Sequence, residues 1–145
     1  MDRFLYIVSA YHENKTYIPP HQHECYELVY YLQGKGTTTI GSMNYPFNSH
    51  TFAFIPPRRL HDENHAADAD VLFVGFQCDN SEMAFMGGVY EDDKERTFEH
   101  LMRRMNAEFM NRGEGYSRLL NLMASEIAPL LLRTYGRGRA PQANA

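Results

Sequence analysis

At 145 residues the chain has room for one domain with a proper core, and its 43% apolar and 22% charged residues are those of an ordinary globular protein rather than a disordered or fibrous one. A formal net charge of −4 argues against direct contact with nucleic acid, because phosphate binding needs clustered Lys and Arg. The short clusters Arg58-Arg59, Arg103-Arg104 and Arg137/Arg139 read as solvated faces.

Residues 3–9 alternate weakly and read as a first strand. Residues 4–8 are too short for a secretory signal core, and no cleavage site follows. Residues 11–20 form a polar connection in which Pro19-Pro20 positions the chain. Residues 21–33 read as one long strand. Gly34-Lys35-Gly36 is a tight turn, and the β-branched run Thr37-Thr38-Thr39-Ile40 continues as a strand. Gly41-Ser42-Met43-Asn44 turns again, and Pro46 makes residues 45–47 an edge strand or loop. After Asn48-Ser49-His50, residues 51–55 form a short buried strand that Pro56-Pro57-Arg58-Arg59 breaks. Residues 61–69 are polar and loop-like towards their end. Residues 71–78 make a further strand, with Gly75 at a point of close approach. Short strands punctuated this often point to a sandwich or barrel.

The pattern changes after Asp79. Glu91-Asp92-Asp93 is a helix-start signal, with carboxylates suited to the positive end of the helix dipole. Phe98, Leu101, Met102, Met105 and Phe109 then follow helical spacing in one stripe of about 100°. Met102 and Met105 read as core filler. Gly113-Glu114-Gly115 stops this helix. A second spans residues 116–135, with Pro129 expected to kink it or remove one backbone bond. Its apolar residues, from Tyr116 to Leu131, cover an arc of about 180°. So wide an arc implies a second buried surface, and a homodimer through Leu119, Leu122, Met123 and Leu130 is expected. Residues 136–145 have the composition of a linker.

The chemistry concentrates in His21-Gln22-His23-Glu24-Cys25-Tyr26-Glu27. On a strand, His21, His23 and Glu27 share one parity with Cys25, Val29 and Tyr31, opposite Tyr26, Leu28, Tyr30 and Leu32. Two imidazoles and a carboxylate on one face have metal-ligand geometry built on a sheet. The same groups also suit a polar barrel mouth that binds a small molecule directly or nothing at all. Cys25 and Cys78 are too few for a disulfide scaffold, so a reducing cytoplasm is the expected location. Cys25 reads as a buried small hydrophobe rather than a ligand. His12, His50, His65 and His100 are expected to face solvent, with His65 in a loop able to cover the pocket mouth. No serine lies in a nucleophile-elbow context, and no Gly-rich loop precedes a helix.

The spacing His21-x-His23-x3-Glu27-x6-Gly34 resembles the first motif of the cupin superfamily, a double-stranded β-helix or jelly-roll barrel. Lys15 stands where that motif usually begins with Gly. The resemblance implies a second motif at Ile55-Pro56-Pro57-Arg58-Arg59-Leu60-His61, bringing His61 to the same site. Arg58 stands where cupins favour Gly, and His65 where they favour Asn. The run Tyr26-Glu27-Leu28-Val29-Tyr30-Tyr31-Leu32-x-Gly34-x-Gly36, with that turn and His61, resembles the sensor arm of AraC-type bacterial transcription regulators over roughly residues 5–135.

That likeness implies a mainly β fold, a cupin barrel followed by two C-terminal helices. Residues 1–135 would bind an effector and dimerise, and DNA would be contacted only by a separate C-terminal domain. The effector would be small and polar, a carbohydrate or related metabolite, held by His21, His23, Glu27, Tyr31 and His61. A divalent metal (Zn, Ni, Mn or Fe) on His21, His23, Glu27 and His61 and direct ligand contact by the same residues both remain open, as does a purely structural role. The alternative function is a small metal-dependent cupin enzyme, an isomerase or dioxygenase.

Overall fold

Apolar alternation in the first part of the chain resolves into nine strands forming two antiparallel sheets. The computed structural model describes residues 1–136, so the linker expected at 136–145 falls outside the described residues apart from Gly136. The strands are β1 (Arg3–His12), β2 (Tyr17–His21), β3 (Tyr26–Gln33), β4 (Lys35–Ile40), β5 (Met43–Asn48), β6 (Thr51–Ile55), β7 (His61–His65), β8 (Ala69–Gln77) and β9 (Gly88–Glu91). The five-stranded sheet runs β1-β8-β3-β6-β9 and the four-stranded sheet β2-β7-β4-β5. The helices are α1 (Thr97–Asn111), α2 (Tyr116–Ala124) and α3 (Ile127–Tyr135). No described helix is long and apolar enough to cross a membrane.

Strand β3 divides the core. Val29 and Tyr31 face the other sheet, where they meet Ile40, Tyr45 and Phe47. Tyr26, Leu28 and Tyr30 point the opposite way, into a larger cluster with Phe52, Phe54 and Phe76 and with Phe98, Leu101, Met102 and Met105 of α1. The helices therefore cover the outer face of the five-stranded sheet and leave the space between the sheets free for a site. Asp92 and Asp93 satisfy the opening turn of α1: Thr97 N–H donates to Asp93, and Phe98 and Glu99 N–H donate to Asp92.

Three segments differ from expectation. The long strand at residues 21–33 is two strands in different sheets, β2 and β3, with a corner at 22–25. Pro19 and Pro20 lack an N–H and cannot sit in a central strand; β2 accordingly lies at a sheet edge. The polar stretch beginning at His61 is strand β7, with His61, Glu63 and His65 buried and Asp62 and Asn64 more exposed. The helical stretch 116–135 is interrupted at Ser125 and Glu126. Pro129 has no N–H for the Ser125 carbonyl and stands in the first turn of α3, where a missing donor is tolerated.

Two cupin-like positions normally given to glycine explain themselves. Lys15 and Arg58 both take the left-handed conformation, at φ 73° and 58°. The Arg58 N–H donates to the His23 carbonyl at 2.6 Å, and its guanidinium reaches Glu24 at 3.2 Å, which fixes the corner carrying His23.

Candidate functional site

A cavity of about 580 Å³ opens between the sheets. Val8, Ala10, Ile18, Val29, Val71 and Phe73 give it apolar walls, and histidines and carboxylates supply its polar groups. Strand β1 reaches this space through a bulge at Leu5, between the pairs Phe4↔Phe76 and Tyr6↔Gly75. Phe4 packs with the helix-side core, whereas Tyr6, Val8, Ala10 and His12 line the cavity.

Tyr6, Gly75 and Glu27 are neighbours in register across β1, β8 and β3. A Cβ on Gly75 would lie 2.2 Å from the Tyr6 ring. The absent side chain lets Tyr6 lie across β8 and donate its hydroxyl to Glu27 Oε2 at 2.6 Å. Burial pushes the Glu27 carboxyl above the usual range, against the Tyr6 hydrogen bond and the nearby imidazoles that pull it down.

Beside Glu27, one nitrogen from each of His21, His23 and His61 lies within 4.8 Å of the others. His21 arrives from the end of β2, His23 from the corner and His61 from the start of β7, where it pairs with His21. His21 Nδ1 is 2.9 Å from the Pro19 carbonyl and His61 Nδ1 is 2.9 Å from the Arg59 carbonyl. Each Nδ1–H is thus held by a backbone oxygen, leaving Nε2 with a free lone pair. His61 Nε2 is buried without a hydrogen-bond partner. Burial, reinforced by His21 and His23, lowers the His61 pKa below the usual imidazole range. Glu27 flanks the three rings, 3.4 Å from His23 Nε2 and 3.8 Å from His61 Nε2. Three imidazoles with closely spaced nitrogens, two of them with Nδ1 tied to a backbone carbonyl, suit a divalent ion. Cys25 is buried and free, with Sγ 3.7 Å from the Tyr6 hydroxyl.

Tyr31 does not face the cavity. Its fully buried ring stacks on Phe47 at 3.8 Å, and its hydroxyl donates to Glu63 at 2.9 Å. Its aromatic face is spent on the core, so its position is behind the site. His65, expected in solvent, is 1% exposed and 2.8 Å from Glu63, because β7 turns it inward. His12, likewise expected in solvent, is half-buried against the His65 ring. His100 is exposed and His50 half-buried beside Glu99.

Sequence reasoning passed over Tyr6 and Glu63 and placed His12 and His65 in solvent. One signal was present: His61-Asp62-Glu63-Asn64-His65 alternates with period two, as a strand does, but in polar residues that no hydrophobic pattern registers. Tyr6 has no local signal, since its partner lies 21 residues away across two strand pairings.

Residues 5–132 match the family model described as the AraC-like ligand binding domain. Among solved structures, a conserved Streptococcus pyogenes protein of unknown function is 17% identical at a TM-score of 0.48, over 55% of this chain and 75% of that one. An RmlC-like cupin from Shewanella frigidimarina is 11% identical at 0.48, over 55% and 71%. A predicted oxalate decarboxylase from Thermotoga maritima is 18% identical at 0.49, over 52% and 69%. Of a Bacillus subtilis oxalate decarboxylase, 19% identical at 0.47, the matched region covers 55% of this chain and 23% of that chain. No curated protein matches the chain.

Proposed function

The chain belongs to the AraC-like ligand binding domain family, and from that premise we propose that it is the effector-sensing and dimerisation domain of a transcription regulator. The effector occupies the cavity between the sheets, with its polar end at His21, His23 and His61. The observation that carries this reading is the pair of Nδ1-to-carbonyl bonds in a cluster of three imidazoles whose ligand nitrogens lie within 4.8 Å of one another, which leaves the buried Nε2 lone pair of His61 unused.

We read this pole as a divalent-metal site. His21, His23 and His61 are its ligands, and Glu27 is the neighbouring carboxylate held in place by Tyr6. Bound there, an ion such as Zn2+ supplies a Lewis-acidic anchor for an effector oxygen. The aliphatic walls favour a small metabolite with one polar end over a fully hydroxylated sugar, because hydroxyls set against Val8, Ile18, Val29 and Val71 would lose water without gaining partners. A carbohydrate derivative with a bare carbon face also meets that demand. Membership of a ligand-binding family favours the sensor over a metal-dependent cupin enzyme.

Leu119 and Leu122 are 41% and 55% exposed on α2, which supports the dimer reading through that helix. Effector binding then changes DNA choice, through a separate DNA-contacting domain, only by differing in affinity between two arrangements of the dimer.

The test is a thermal-shift screen of small metabolites against chelator-treated protein with and without added Zn2+. The reading predicts stabilisation by Zn2+ alone, and a polar-ended metabolite whose further shift disappears with His23→Asn. An equal metabolite shift with and without metal would leave direct contact by the imidazoles as the correct account.

A further inference from the structure

Strand β7 carries a second set of ionisable groups into the barrel. His61, Glu63 and His65 all face inward, and His61 and His65 are separated by about 14 Å at the usual rise per strand residue. At the far position, donor atoms of His12, Glu63 and His65 lie within 4.8 Å of one another. His12 comes from the end of β1 and its ring centroid is 4.8 Å from that of His65. The Tyr31 hydroxyl donates to Glu63 Oε2 at 2.9 Å, orienting the carboxylate so that Oε1 meets His65 Nε2 at 2.8 Å.

These hydrogen bonds do not close the network. With Nε2 on Glu63, the His65 Nδ1 is buried without a partner. Among the described residues only three buried side-chain nitrogens or oxygens lack a hydrogen-bond partner, on His50, His61 and His65. The His50 atom stands 3.3 Å from a Glu99 oxygen. The other two belong to the two histidine clusters of the cavity. A buried imidazole nitrogen left without a partner is costly, which favours an occupant that the protein itself does not supply. His12 and Glu63 line the same cavity as the first cluster, so an ion at this position would be open to a ligand there.

We propose that His12, Glu63 and His65 form a second divalent-cation site, distinct from the His21/His23/His61 pole and facing the same cavity. Two imidazoles and one carboxylate suit a borderline ion such as Zn2+ or Co2+ better than Mg2+ or Ca2+, which prefer oxygen ligands. The ion draws on the unused lone-pair capacity of the buried His65 imidazole, and Tyr31 keeps the Glu63 carboxylate in position. This proposal does not depend on a metal at the first pole.

The experiment is Zn2+ titration by calorimetry of chelator-treated wild type, His12→Asn and His23→Asn, with circular dichroism on each. His12 and His23 are both half-buried, so neither exchange opens the core. His23→Asn combined with Glu63→Gln is a fourth sample: the glutamine keeps an acceptor for Tyr31 but removes the charge. The expected result is two equivalents for wild type and one for each His variant, with the equivalent retained by His23→Asn weakened at least tenfold by adding Glu63→Gln. A single wild-type equivalent lost in His12→Asn upholds this site and refutes the first. Binding of wild type and His12→Asn with the same stoichiometry and affinity overturns the proposal.

Discussion

The Tyr6 hydroxyl donates to Glu27 Oε2 at 2.6 Å by crossing the strand between them, and it can do so because residue 75 is glycine. A methyl group at Gly75 would stand 2.2 Å from the Tyr6 ring. Gly75→Ala is therefore expected to expel the ring and destabilise the domain by about 1–3 kcal/mol, the usual cost of overpacking. Tyr6→Phe keeps the packing but deprives buried Glu27 of its donor, for about 1–3 kcal/mol. Urea unfolding measures both. Wild-type stability in Gly75→Ala would mean that the ring has room elsewhere.

Lys15 holds a left-handed backbone that glycine adopts without strain. Lys15→Gly is expected to leave stability unchanged or raise it by up to about 1 kcal/mol, the strain relieved being partly offset by added freedom of the unfolded chain. Arg58→Gly removes similar strain but also the Glu24 ion pair, so its effect should be the smaller of the two. A loss above about 1 kcal/mol in Lys15→Gly would show that the lysine side chain contributes something beyond its backbone shape.

The acid limb of stability should show Asp93. Burial pushes its carboxyl up, but hydrogen bonds from the Thr97 hydroxyl and from backbone N–H groups outweigh this and hold it below the usual range. A depressed carboxyl stabilises the fold above its unfolded value of about 3.9, and that contribution is lost as pH falls through the folded pKa. Melting of α1, followed by circular dichroism, should steepen below about pH 4 in wild type and less so in Asp93→Asn. His61 adds a second slope in metal-free protein. Burial depresses its pKa, so the unfolded chain takes up a proton first and stability declines as pH falls below about 6.5. Without added metal, His61→Asn should flatten that slope.

Leu119 and Leu122 are exposed, whereas Met123 and Leu130 pack against the core. Leu122→Asp should weaken the proposed dimer at least tenfold, with the fold changed by no more than about 0.5 kcal/mol. Leu130→Asp should instead destabilise the monomer. Sedimentation of wild type as a monomer at micromolar concentrations would contradict the dimer.

Strands β3, β6 and β8 could be read from sequence because each buries apolar residues. Even the two faces of β3 follow simple alternation, with Val29 and Tyr31 between the sheets and Tyr26, Leu28 and Tyr30 beneath the helices. The same rule failed for β7, whose inward residues are His61, Glu63 and His65, so a strand that builds the site read only as a polar stretch, loop-like towards its end. It failed for β2 because two prolines disguise an edge strand. His21 and Glu27, expected along one strand, belong to different sheets and line the same cavity across a corner. Tyr6 was out of reach, because its approach to Glu27 depends on a bulge and a distant glycine.

The central claim to test is an ion held by His21, His23 and His61 at one pole of the cavity. The most direct measurement is anomalous diffraction at the zinc edge from crystals of the protein grown with Zn2+. The expected result is a peak about 2.0–2.1 Å from the Nε2 atoms of His21 and His61 and from one nitrogen of His23. A map without density at that point, from protein that binds its effector with the imidazoles in direct contact, would contradict it.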